Sequence, residues 1–144
     1  MTLVDTNIVL DILTRDPAWL DWSAEQLDRQ AARGPIIVNE VVYAELSAGF
    51  ADEADVEDVL VELDLTFHRT PVPALFAAGK AYLRYRRAGG ARTGVLPDFF
   101  IGAHAQVLGL PILTRDPRPY RAYFPEVEVI APRLAHLTAR TSCT

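Results

Sequence analysis

Short apolar segments alternate along this chain with longer segments of helical periodicity, and this alternation constrains the fold more than any other feature. The apolar runs, which are candidate strands, are residues 3–4, 35–38, 111–113 and 127–130, with a weaker candidate at 64–68. The helical segments are residues 8–13, 17–33, 40–50, 54–63, 73–87 and 98–108. Such short apolar runs are typical of parallel strands whose two faces are covered by the connecting helices. The pattern predicts an α/β fold with a short, mostly parallel central sheet.

The length and composition predict one globular domain. The chain has 144 residues, of which 50% are hydrophobic and 23% are charged, and this is sufficient for one buried core. We predict a single domain over residues 1–132 and a loose tail over residues 133–144. No run approaches the roughly 18 apolar residues of a membrane span, and the N-terminus lacks the basic start of a signal peptide. We therefore expect a cytoplasmic protein without a membrane partner.

The cysteine, histidine and serine content excludes several kinds of site. The single cysteine, Cys143, has no partner for an intrachain disulfide, which fits a reducing compartment. The three histidines are too widely spaced to form a zinc ligand set. None of the three serines stands in the G-x-S-x-G motif of a nucleophile elbow. Catalysis therefore has to come from other side chains.

Four acidic side chains follow strands or stand on the helices that come after them. Asp5 directly follows the first strand, Asp116 follows the strand at 111–113, Asp98 lies in the first turn of a helix, and Glu45 lies on the helix after the second strand. Ligands of parallel sheets bind beyond the carboxyl ends of the strands, so all four acids can face one crevice. Gathered carboxylates repel one another unless a cation lies between them. Oxygen ligands suit Mg²⁺, which can activate water for displacement at a phosphodiester.

Each of these acids, taken singly, has a simpler explanation. Acids at helix starts and in turns are most often caps, by roughly three to one on capping preference alone. Asp98 would satisfy free N–H groups and the helix dipole without any metal, and Glu45 alone would be a solvated residue. Only the order and placement of all four favour a metal site.

Four segments carry a resemblance to a known family. They are Val4-Asp5-Thr6-Asn7, Ala44-Glu45-Leu46, residues 97–105 with Asp98 near their start, and Leu113-Thr114-Arg115-Asp116. In this order they resemble the PIN-domain family and, within it, the VapC-type toxins of bacterial toxin–antitoxin pairs. The resemblance covers residues 3 to about 130. No single motif is specific, whereas the ordered set of four is.

The resemblance implies a PIN-like three-layer α/β/α sandwich and an endoribonuclease activity that depends on Mg²⁺ or Mn²⁺. It implies that the four acids form the catalytic and metal-binding pocket, with Asp5 and Asp98 as direct ligands and with Glu45 and Asp116 acting through waters or on a second ion. The implied supporting residues are Thr6, Asn7 and Thr114. The implied partners are an RNA substrate, a cognate antitoxin and a second copy of the chain in a homodimer.

The net charge of −5 conceals an uneven distribution of charge. Residues 52–64 contain seven acids and no bases, whereas residues 79–97 contain five bases and no acids. Arginines can hold RNA phosphates, but a solvated helix end favoured by the helix dipole explains the basic run equally well. The candidate RNA contacts are Arg84, Arg86, Arg87, Arg92 and Arg115.

Two competing positions affect the assignment of the acids. The hexapeptide Ile-Leu-Thr-Arg-Asp-Pro occurs at residues 12–17 and again at 112–117. We assign the site to Asp116, because its copy follows a strand, and we predict that Asp16 is a helix N-cap. Glu40 and Glu45 lie about 140° apart on a helix, so both cannot face one pocket. Glu40 stands in the first turn of its helix, where the helix dipole favours an acidic side chain. We expect His104 to be a packing residue.

Two other functions stay open on the sequence. The first is a phospho-aspartate protein, which also places an aspartate after the first strand. A phosphatase of that kind needs a second aspartate where Asn7 stands, and a receiver domain needs a lysine after a late strand, whereas the only lysine, Lys80, lies in a helix. The second alternative is a PIN-like module that binds RNA or a protein with an idle acidic pocket. Four intact acids count against it.

Overall fold

The computed structural model describes residues 1–91 and 96–133, and five strands in this part of the chain form one sheet. The strands are β1 (Thr2–Val4), β2 (Ile36–Val38), β3 (Leu65–Phe67), β4 (Ile112–Leu113) and β5 (Val129–Ile130). The helices of the described residues are α1 (Thr6–Leu13), α2 (Leu20–Ala31), α3 (Glu40–Ser47), α4 (Glu53–Glu62), α5 (Val72–Arg87), α6 (Leu96–Leu108) and α7 (Arg118–Tyr123). The predicted α/β class is confirmed.

The sheet is parallel throughout, with the strand order β3-β2-β1-β4-β5. The chain builds outward from β1 in one direction through β2 and β3, and in the other direction through β4 and β5. The order therefore reverses between β1 and β4, and a crevice at such a switch point is where parallel sheets bind ligands. Asp5 and Thr114 are the residues that directly follow these two strands.

The core surrounds the central strands on both sides. Leu3 and Val4 point to opposite faces of the sheet, and both are fully buried. Helices therefore cover both faces, which gives the predicted three-layer α/β/α arrangement. The edge strand β3 is buried only at Leu65, whereas Phe67 is exposed. This difference explains why the sequence signal for that strand is weak.

Several elements differ from the sequence prediction. The helix expected from residue 17 begins at Leu20, because Asp16 first closes a turn in which its Oδ1 accepts hydrogen bonds from the N–H groups of Ala18 and Trp19. Helix α6 begins at Leu96, two residues earlier than predicted. Helix α7 was not predicted, since six residues are too few to show a helical period.

None of the described helices is long and apolar enough to cross a membrane. The predicted loose tail lies almost wholly outside the described residues, as does Cys143. The boundary of the single domain at residue 132 stays a prediction.

Candidate active site

Asp5 is buried at the switch point of the sheet and serves as the N-cap of α1. Its Oδ1 accepts a 2.7 Å hydrogen bond from the N–H of Thr6. Its Oδ2 accepts hydrogen bonds from the hydroxyls of Thr114, at 2.9 Å, and Tyr120, at 2.8 Å. Burial raises the pKa of Asp5, the three donors oppose that rise, and the charge of Asp116 adds to it. Asp5 is thus a helix cap and a member of the acidic pocket at the same time.

Glu45 reaches the pocket from α3, where Thr6 orients it. The Thr6 hydroxyl donates a 2.9 Å hydrogen bond to Oε1 of Glu45. Burial raises the pKa of Glu45, and the nearby charge of Asp5 raises it further. Thr6 therefore joins two of the predicted acids, since its backbone contacts Asp5 and its side chain contacts Glu45.

Burial and neighbouring charges strongly perturb Asp98. It stands in the first turn of α6, and its pKa is raised to about 7 by burial and by the charges of Asp5, Glu45 and Asp116. The Tyr120 hydroxyl opposes this rise. All three of the other predicted acids act on Asp98, so the structure brings the four carboxylates together.

Asp116 differs from the other three acids because a neighbouring cation already balances its charge. Arg118 donates from Nε to Oδ1, at 2.8 Å, and from its terminal nitrogen to Oδ2, at 2.9 Å. This bidentate contact holds the pKa of Asp116 below its ordinary value. Arg118 was missed in the sequence, where its only signal is a base two residues after a candidate acid.

Asn7 and Thr114 connect α1 with the loop that leads from β4 to α7. The side-chain amide of Asn7 donates to the Thr114 hydroxyl at 3.3 Å, and its carbonyl oxygen accepts from the Arg115 N–H at 3.1 Å. The three predicted supporting residues are therefore all in the network around Asp5. They fix the positions of the carboxylates relative to each other.

Tyr120 is a further residue of the pocket that sequence reasoning missed. It is fully buried on α7, and its pKa is raised well above the ordinary value by burial and by the charges of Asp5, Asp98 and Glu45. Its hydroxyl therefore stays protonated and donates to Asp5. No sequence signal could have found it, because the helix that carries it has no detectable period.

The competing acids lie elsewhere. Glu40 accepts hydrogen bonds from the backbone N–H and the hydroxyl of Thr70, at 2.9 Å and 2.5 Å, and Asp16 caps the turn before α2. His104 is buried on α6, where its Nδ1 lies 3.2 Å from the side-chain amide nitrogen of Asn39. This placement fits the predicted packing role of His104.

The candidate RNA contacts fall into three groups. Arg84, Arg86 and Arg87 lie in the last turn of α5, on its exposed surface, and Arg92 lies outside the described residues. Arg115 has a buried partner, since its Nε lies 2.9 Å from Oδ2 of Asp11. Asp11 also accepts a 2.7 Å hydrogen bond from the Ser23 hydroxyl. The Asp11–Arg115 pair was not anticipated from the sequence.

The donor chemistry of the pocket fits a hard divalent cation. Asp5, Glu45 and Asp98 offer carboxylate oxygens, and burial and mutual repulsion make their ionisation costly. Among the described residues, no group of three His, Cys, Asp or Glu side chains is arranged so that it could hold a metal ion. Mg²⁺ does not require such a cage, since proteins commonly bind it through one or two carboxylates together with waters and substrate phosphates.

Comparison with known proteins gives a consistent result for the fold. The family model described as PIN domain matches residues 2–125. The chain is similar to VapBC2 from Rickettsia felis bound to a DNA fragment from their promoter, with 18% identity, coverage of 92% of this chain and 98% of that chain, and a TM-score of 0.71.

Two further solved structures share this fold. DNA-bound VapBC from Salmonella typhimurium is 19% identical, with coverage of 91% of this chain and 98% of that chain and a TM-score of 0.64. A toxin–antitoxin complex from Klebsiella pneumoniae is 20% identical, with coverage of 92% and 98% and a TM-score of 0.65. No curated protein sequence matches the chain significantly. At these identities the likeness shows the fold alone.

Proposed function

This chain belongs to the PIN-domain family, and we propose that it is a metal-dependent endoribonuclease that acts as the toxin of a toxin–antitoxin pair. The observation that carries the proposal is the convergence of Asp5, Glu45 and Asp98 at the switch point of the sheet, where the charge of Asp5 raises the pKa of Glu45 and the charges of both raise the pKa of Asp98. A fold gains nothing from this repulsion by itself. Strongly perturbed acids in a cleft are typical of a functional site.

The proposed metal is Mg²⁺, with Mn²⁺ as an alternative. Asp5 and Asp98 would hold the ion directly, and Glu45 and Asp116 would act through waters or on a second ion. When bound, such an ion supplies an activated water and positive charge for displacement at a phosphodiester.

The remaining residues of the pocket hold the acids in position. Thr114 and Tyr120 both donate to Oδ2 of Asp5, which fixes the plane of that carboxylate. Thr6 aims Glu45 at the same space. Because Tyr120 keeps its proton, it adds no further negative charge to the pocket. The acids are thus preorganised, and less reorganisation is needed when substrate arrives.

The proposed partners are a cognate antitoxin and a second copy of the chain, in the cytoplasm. The fold shared with VapBC complexes supports the antitoxin. Sedimentation of the purified chain tests the homodimer, because a mass of 15.9 kDa would overturn it.

Calorimetric titration with Mg²⁺ and Mn²⁺ tests the metal site. We expect the wild-type protein to bind, and Asp5→Asn and Asp98→Asn to abolish binding, because each removes a direct ligand. Asp58→Asn is the matched control, since it makes the same chemical change at an exposed position on α4. Should the wild type fail to bind even with RNA present, the pocket would be idle and the chain a binding module.

Mapping of the RNA ends tests the chemistry. The proposed attack by water does not use the ribose 2′-hydroxyl and expels the O3′ atom, so each cleavage should leave a 5′-phosphate and a 3′-hydroxyl. A 2′,3′-cyclic phosphate would contradict hydrolysis by an activated water. The same two asparagine variants should leave the RNA intact, and Asp58→Asn should cleave it as the wild type does.

A further inference from the structure

An open groove lies directly beside the acidic pocket. Its volume is about 910 Å³, and the side chains that line it include Asn7, Trp19, Arg115, Arg118, Arg121 and Arg133. A second groove of about 530 Å³ is lined by residues that include Asp98 and Tyr123. Asp116 and Arg118 line both grooves. We call the first groove the arginine groove and the second, which contains Asp98, the acidic groove. The two grooves meet at the Asp116–Arg118 ion pair.

The arginine groove is positively charged although the chain carries a net charge of −5. Its described lining contains four arginines and one carboxylate, Asp116, which Arg118 already pairs. Arg121 and Arg133 are exposed. Within residues 1–91 and 96–133, neither of them forms an ion pair with a carboxylate. A surface with this local excess of charge attracts anions even on an acidic protein.

Arg115 gives the groove a preorganised wall. Its Nε lies 2.9 Å from the buried Asp11, and its guanidinium lies 5.1 Å from the centre of the Trp19 ring. The side chain is still about one-third exposed. A guanidinium held in this way loses little conformational freedom when it binds a ligand, and its planar fork matches a phosphate group.

We propose that the arginine groove binds the phosphate backbone of single-stranded RNA and forms the subsite for nucleotides on one side of the scissile bond. The inference rests on the proposed function, since it assigns a path for the substrate of that site. Guanidinium–phosphate contacts position a strand without reading its bases. A strand that follows the groove crosses the Asp116–Arg118 pair and enters the acidic groove that contains Asp98.

This path differs from the one that the sequence suggested. Arg84, Arg86 and Arg87 are not among the described residues that line either groove. Arg121 and Arg133, which were not candidates in the sequence, take their place. The two arginine sets therefore give different paths for the strand.

The test is the binding of a labelled single-stranded RNA of about twelve nucleotides, measured by fluorescence anisotropy with EDTA present so that the strand is not cleaved. The test variant is Arg121→Ala with Arg133→Ala. The control variant, Arg33→Ala with Arg69→Ala, removes the same charge from two exposed positions outside both grooves. A third variant, Arg121→Lys with Arg133→Lys, retains the charge.

The expected effects follow from the release of counterions. Each lost phosphate contact should weaken binding about fivefold at about 0.1 M salt, so the double alanine variant should lose about 25-fold. The slope of log affinity against log salt should fall by about 1.4. The control variant should bind as the wild type does, and the lysine variant should recover most of the affinity.

The inference is overturned if the alanine variant binds RNA as tightly as the wild type, with the same salt slope, or if the control loses as much. The groove would then suit an acidic protein segment instead. Cleavage assays in Mg²⁺ separate the two proposals. If the alanine variant binds RNA as the wild type does and cleavage is intact, only the groove is refuted. If the alanine variant binds more weakly and the wild type cleaves no RNA, the groove is supported and the nuclease is refuted.

Discussion

Replacing Asp98 with asparagine should stabilise the metal-free protein above neutral pH. The pKa of this carboxyl is raised from its ordinary value of 3.8 to about 7 by burial and by three neighbouring acids. As the pH rises from 3.8, the unfolded chain therefore loses this proton before the folded protein does. The stability of the folded state falls across that interval, and the full penalty is present above about pH 7.

The magnitude follows from the size of the change in pKa. Each tenfold change in the protonation equilibrium corresponds to about 1.4 kcal/mol, so the raised pKa of Asp98 lowers the free energy of unfolding by at most about 4 kcal/mol. Asp98 is partly exposed, and solvent screening lowers this value to about 2–3 kcal/mol. Asparagine also lacks the attraction between a carboxylate and the N-terminus of α6. This loss reduces the gain in stability by about 0.5 kcal/mol. The net gain expected for Asp98→Asn is about 2 kcal/mol near pH 8.

Urea unfolding in EDTA measures this gain directly. The gain near pH 5 should be only about a third of that near pH 8, because the folded carboxyl still holds its proton there. Asp58→Asn, the exposed control, should change the free energy of unfolding by less than about 0.5 kcal/mol at either pH. Added Mg²⁺ should stabilise the wild type at the higher pH but not Asp98→Asn.

Two results would refute the reasoning. If Asp98→Asn is no more stable than the wild type near pH 8, the four acids do not repel one another in the folded protein. If the gain is the same near pH 5, ionisation of Asp98 is not its cause.

Four further substitutions test individual contacts of the fold. Tyr120→Phe should lower the free energy of unfolding by about 1–2 kcal/mol near pH 8 and by less in acid, since the hydroxyl donates to the ionised Asp5; urea unfolding at the two pH values measures the difference, and equal losses would contradict it. Gly102→Ala should cost about 1–3 kcal/mol, because a Cβ there would lie 2.2 Å from a buried phenylalanine ring. Gly79→Ala, where nothing lies within 4 Å of the added Cβ, should instead stabilise its helix by about 0.5–1 kcal/mol; thermal unfolding measures both glycine variants. Asn39→Ala removes the acceptor for two N–H groups at the start of α3 and should cost about 1 kcal/mol, and an unchanged melting temperature would argue against the cap.

The sequence predicted the architecture because the apolar pattern of each element shows how that element is buried. Apolar runs as short as Leu3-Val4 have to be buried on both faces, and the helices between them provide the cover. The position of Asp5 after the first strand follows from the same pattern, since the carboxyl ends of parallel strands share one edge of the sheet. The order of the four acids then singled out the pocket that the structure assembles.

The sequence did not contain the partners of those acids. Tyr120 and Thr114 contact Asp5 across 115 and 109 residues of chain, and Asp11 meets Arg115 across a similar separation. Periodicity tells which face of an element is buried, but not which element lies opposite. The packing of α7 brings the Tyr120 hydroxyl to Asp5 and places Arg121 along the groove. Burial and the hydroxyl of Thr114 complete the surroundings that set the pKa of Asp5. Burial and charge at short range depend on three-dimensional neighbours, so these features exist only in the folded chain.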